Sequence, residues 1–156
     1  MAAHRDMTLQ ELQNLITRVK PIITHGNPPE RNCTDWNQDL AIVLREQGVA
    51  AEPFGSRSYK MTLRDGTEIH GHIIAVVKLS EHKWAGIDLS SAQIQGLPED
   101  KIWTGNSLKE MGDAIDGDLP GFGTLVGSAP ESNFVSAFEK SLQRDRECGR
   151  YEMFRY

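Results

Sequence analysis

The sequence of 156 residues has little cysteine: only Cys33 and Cys148. Two cysteines so far apart make neither a disulfide framework nor a zinc knuckle, so each is judged alone, as core filler or as nucleophile. Basic charge is also short. Lysine and arginine number 17 against 22 acidic residues, and the net charge is −5. Binding to nucleic acid needs clustered Lys and Arg against phosphates, so this balance argues against a nucleic-acid partner. No apolar run approaches the roughly 20 residues of a membrane helix, so no membrane span is expected. The opening MAAHRDM lacks the apolar core of a signal peptide. Gly121-Phe122-Gly123-Thr124 is not followed by Gly-Lys-Ser/Thr and is no phosphate loop. His70, His72 and His82 lack the carboxylate or cysteine spacing of a zinc site. No metal or other cofactor is expected.

What is present is a globular composition, 38% hydrophobic and 25% charged, at a length that suits one domain over 1–156. Thr8 and Glu11 have capping-box spacing, and Leu9, Leu12, Leu15, Ile16 and Val19 recur at helical period. Pro21 ends or kinks this helix. Residues 24–32 read as a loop with a proline pair. A second helix is expected over about 34–47, with Trp36, Leu40, Val43 and Leu44 on one face and Gly48 as its stop. The middle is β. Residues 59–63 alternate, Asp65-Gly66 is a hairpin turn, 69–79 is a long β-branched run interrupted by Gly71, and 83–89 is a further strand. Helices at 107–115 and 132–146 follow, separated by a glycine-rich loop over 117–127. The end, 151–156, is aromatic and reads as a last strand. Helices followed by an antiparallel meander make the class α+β, not βαβ.

Three residues carry a possible chemistry. Cys33 stands where a loop enters the second helix. There the positive end of the helix dipole and unpaired N–H groups favour thiolate and can hold an oxyanion. Read alone, it is as well explained as a small buried hydrophobe, and Asp35 close by would oppose a low pKa. His72 opens an apolar strand, where an imidazole is costly without a partner. His70 lies on the same face but outside the apolar run. Asp88 ends the strand after the one that His72 begins. The near-equal arms of that hairpin fold Asp88 back beside His72, where a carboxylate can fix the tautomer of the ring. By itself Asp88 also reads as a cap on the turn into Ser90-Ser91. Together the three read as a catalytic constellation. Cys148 has no nearby histidine and reads as structural, or as a disulfide partner of Cys33 in an oxidising compartment.

On Asn32-Cys33 opening a helix, Gly71-His72 before Ala75-Val76-Val77, and Trp84-Ala85-Gly86-Ile87-Asp88 followed by Gln93, residues 24–95 resemble papain-like thiol enzymes. The nearest likeness is to the compact papain-like domains of bacterial toxins and effectors, including dermonecrotic-toxin-type glutamine deamidases. The resemblance implies a papain-like fold with N-terminal helices packed on an antiparallel sheet. It implies Cys33 as nucleophile, His72 as base and Asp88 as its orienting partner. Asn27, Asn32, Gln93 and Trp36 are then expected around the oxyanion and substrate, although Asn27 also reads as a turn residue before prolines. Thr34-Asp35-Trp36-Asn37 departs from the small or aromatic run that follows a peptidase cysteine. The implied activity is deamidation of a glutamine in a target protein by an effector secreted without a cleavable signal peptide and acting in a target cell's cytoplasm. A cognate immunity protein or chaperone would be a further partner. The alternatives are a cysteine peptidase, a peptidoglycan amidase, a cytoplasmic protein, or a non-enzymatic binding or immunity module.

Overall fold

The computed structural model describes residues 4–25 and 33–149; the side chains of Cys33 and Thr34 lie outside this description, as do Asn27, Asn32 and the aromatic end 151–156. Helix α1 (Leu9–Thr24) begins with the expected capping box between Thr8 and Glu11. It runs on through Pro21 and stops at His25, whose left-handed backbone (φ 51°) lets its N–H bond the Pro21 carbonyl. Helix α2 (Cys33–Glu46) follows. Strands β1 (Ala50–Thr62), β2 (Glu68–Ser80), β3 (Lys83–Asp88) and β4 (Lys101–Gly105) then form one antiparallel sheet in the order β1-β2-β3-β4. Helices α3 (Leu108–Asp116), α4 (Phe122–Gly127) and α5 (Glu131–Glu147) complete the described chain. The class is α+β with an antiparallel sheet, and no described helix is long and apolar enough to cross a membrane.

Helices cover both faces of the sheet, not one. Alternate residues of β2 divide between two cores. Ala75, Val77 and Leu79 pack with α1 and α2, while Ile74 and Val76 pack with Trp84, Trp103, Met111, Phe122 and Phe134 on the other face. That is why the β2 sequence is continuously apolar instead of alternating.

Three elements differ from the sequence expectation. Strand β1 starts at Ala50, well before residue 59, and includes Pro53, which an edge strand tolerates because one side of it needs no ladder partner. Strand β4 was not expected at all. Within the supposed loop 117–127, residues 122–127 are helical. Its glycines serve close packing: a Cβ on Gly123 would strike the Gly112 carbonyl of α3. Asp116 fastens the helix start by accepting bonds from the Thr124 N–H (2.9 Å) and hydroxyl (2.6 Å).

Candidate active site

The hairpin of β2 and β3 is in register at Ala75–Ile87, and one step further sets Asp88 across from Ile74 with His72 on the diagonal. The two side chains meet. His72 Nε2 lies 2.9 Å from Asp88 Oδ2, and both side chains are fully buried. An ionised carboxylate accepts here, so Nε2 carries the hydrogen and proton exchange with any nucleophile falls to Nδ1.

The other carboxylate oxygen is held as firmly. Asp88 Oδ1 accepts from the Ser90 N–H (2.9 Å), the Ser90 hydroxyl (2.6 Å) and Asn37 Nδ2 (3.1 Å). Both readings of Asp88 are thus present at once: it caps the turn into Ser90 and it binds the imidazole. Burial alone would push its carboxyl up. The His72 bond and charge, with Ser90 and Asn37, outweigh burial and hold it below the usual range.

Asn37 belongs to α2, one turn after Cys33. Its amide also donates to the Ile73 carbonyl (2.8 Å), and its oxygen accepts from the Leu89 N–H (2.8 Å). One fully buried side chain therefore ties the start of α2 to both strands of the pair. From the opposite face, Phe122 of α4 packs against the His72 ring at 5.3 Å between centroids. Tyr59 continues that stack, 5.1 Å from Phe122, with its hydroxyl donating to the Pro120 carbonyl (3.1 Å).

His72 borders a cleft of about 830 Å³, within the size range of small-ligand sites. Pro53, Gly55, Gly71 and Ile73 of β1 and β2 floor it, and Gln38 of α2 stands at its side. A Cβ at Gly55 would run into the His72 carbonyl, so glycine is required for the strands to approach there. Gly71 takes a left-handed backbone (φ 99°), which also favours glycine.

The other expected residues fall in different places. The backbone of Cys33 opens α2 as expected, and its side chain lies outside the described residues, as do Asn27 and Asn32. Gln93 is buried in a 3-10 turn (Ser91–Gln93), where Nε2 donates to the Ser90 hydroxyl (3.3 Å); it supports the carboxylate from behind. Trp36 is 5% exposed and packs in the core beneath α1 and α2, not along the cleft. Cys148 is exposed at the end of α5, so it is not core filler. Among the described residues no group of three or more His, Cys, Asp or Glu is placed to hold a metal ion.

Sequence reasoning missed Asn37, Ser90 and Phe122 as parts of this site. Asn37 could have been found as a polar residue one turn after Cys33 in an otherwise apolar stripe. Ser90 could have been found from the Asp-x-Ser spacing of an Asx turn. Comparison of the chain with protein-family models, curated proteins and solved structures gave no match.

Proposed function

We propose that the chain is a papain-like thiol hydrolase that deamidates a glutamine side chain in a target protein. The observation that carries this reading is the buried His72–Asp88 pair, tied through Asn37 to the first turns of the helix that Cys33 opens. Helical spacing puts position 33 on the same stripe as Asn37. In the reaction, Cys33 Sγ attacks the carboxamide carbon and forms an S–C bond, while N–H groups at the start of α2 receive the oxyanion. His72, oriented by Asp88, passes the thiol proton to the leaving nitrogen as the C–N bond breaks and ammonia departs. Water then attacks the thioester with His72 as base, giving glutamate and the free thiol. A base in this role must reach sulfur and substrate, not bulk water, so its burial is compatible with the task.

The choice of a glutamine side chain over a peptide bond, and the setting of a secreted bacterial effector acting in a target cell, rest on the resemblance to deamidating toxin domains. Intact-mass analysis of candidate proteins incubated with the chain tests the reaction. A gain of about 1 Da per site, absent with Cys33→Ala and with His72→Ala, is the expected result. Chain cleavage would make the protein a peptidase instead. Unchanged activity in Cys33→Ala, or an alkylation rate of Cys33 in the folded protein no faster than in urea, would end the thiol reading.

A further inference from the structure

Among the described residues, the cleft beside His72 carries a positive charge with no carboxylate paired to it. Strand β1 pairs with β2 at Ser56–His72 and again at Lys60–His70, so Arg57, Ser58 and Tyr59 stand opposite the single residue Gly71. Such bulges re-aim side chains, often beside active sites. Here Tyr59 goes to the Phe122 stack, while Arg57 lines the cleft. Arg57 is exposed and makes no ion pair among the described residues. His70 lines the same wall, with its Nε2 3.6 Å from Glu68 Oε1, both side chains being open to solvent. No carboxylate is among the described residues that line the cleft. The chain as a whole carries −5 and repels acidic partners at long range, so attraction of a carboxylate must come from this spot.

We infer that the cleft takes an extended target segment with an acidic side chain close to the reacting amide, and that Arg57 is the residue that binds this carboxylate. A guanidinium presents a planar fork that matches a carboxylate with two parallel hydrogen bonds. Arg57 lies one residue beyond Ser56, which pairs with His72. At about 3.3 Å per extended residue, the carboxylate belongs within about two positions of the glutamine. This inference rests on the proposed function for the identity of the reacting group, and it is tested without turnover.

Three fluorescent glutamine peptides, alike except for Glu, Ser or Lys at the flanking positions, are titrated against the Cys33→Ala protein and followed by anisotropy. The Glu peptide is expected to bind about 5- to 10-fold tighter than the Ser peptide, as one charge-assisted contact allows, and the margin should shrink at high salt. Arg57→Gln should abolish the margin, and Arg57→Glu should reverse it in favour of the Lys peptide. Arg57 is exposed, so both variants should unfold at the temperature of the parent. Equal affinity for all three peptides, or an acidic preference that survives Arg57→Glu, overturns the inference. Arg57-dependent binding with no ammonia released by the wild-type protein from any of the peptides would leave the binding site standing and count against the hydrolase.

Discussion

Replacing Asn37 by alanine tests whether the site is built as a single hydrogen-bonded unit. The side chain makes three bonds in a buried setting: to the Ile73 carbonyl, to Asp88 Oδ1 and from the Leu89 N–H. Alanine orphans the Leu89 N–H, at about 1–3 kcal/mol, and removes a bond to a charged acceptor worth about 1.5–3 kcal/mol. Asp88 keeps both Ser90 donors, so the losses do not simply add. A net loss of about 3–5 kcal/mol is expected, a large fraction of the ~5–15 kcal/mol that holds a domain together. For this chain length that corresponds to a melting-point drop of about 6–20 °C. Urea unfolding with an unchanged m-value measures it directly. Asn37→Asp separates charge from volume. It keeps an acceptor for Leu89 but sets a second carboxylate against Asp88, so it should be at least as damaging as alanine at neutral pH and recover toward acid. Because the folded state holds the Asp88 carboxyl below its ordinary 3.8, its contribution is present above that value and is lost as pH falls through the lowered pKa. Losing the Asn37 donor raises this folded pKa, so the acid limb of a stability–pH curve should move up in Asn37→Ala. A loss under about 1 kcal/mol with an unmoved acid limb would refute the reasoning.

Other expectations follow from the same structure. Arg45 donates to Asp145 (2.6 Å) and to the Ala51 carbonyl (3.0 Å) deep between α2, β1 and α5, so Asp145→Ala leaves the buried guanidinium with that carbonyl and the longer contact to Glu52 (3.6 Å). It should cost about 1.5–3 kcal/mol by urea denaturation, as loss of one charge-assisted hydrogen bond; a loss below about 0.5 kcal/mol would contradict this. Burial raises the Glu52 carboxyl above its ordinary 4.5, against the opposing pull of Ser141, Arg45 and Arg144. Stability from that group is therefore full below 4.5 and declines as pH rises through the raised value. Glu52→Gln should flatten this decline in melting points measured from pH 4 to 8, and an identical profile would argue against it. Gly55→Ala should disturb the β1–β2 approach at the His72 carbonyl and lower both the melting point and the rate of Cys33 alkylation; a variant unchanged in both would show that the strands can yield there.

Much of the fold was legible where local signals were strong. The Thr8–Glu11 box set the start of α1, and the β-branched run set β2. Equal arms about the Ser80–Lys83 turn brought Asp88 to His72, because strand geometry turns sequence distance into position. The first half of β1 was hidden. Its Ala-Ala-Glu-Pro-Phe-Gly carries no alternation, and only pairing with β2 makes it a strand. Strand β4 is short and depends on contacts such as Trp103 with Gly86, which no local window contains. The α4 helix was read as a loop because glycines used for helix contact look the same in sequence as glycines used for turns. In the site, the His–Asp pair followed from one hairpin. Asn37 did not, since all its partners lie on other elements.

The pair of His72 and Asp88 is closed by Asn37 from α2 on one side and by Phe122 from α4 on the other. Synthesis runs from the N-terminus, so the growing chain holds Cys33, His72 and Asp88 before α4 exists. At that stage the imidazole has its carboxylate but not the aromatic ring against which it rests. The nascent chain then has the ion pair and its tie to α2 but lacks one of its walls. On that order of synthesis the wall that α4 gives the His72–Asp88 pair is the last to close, when the C-terminal helices dock.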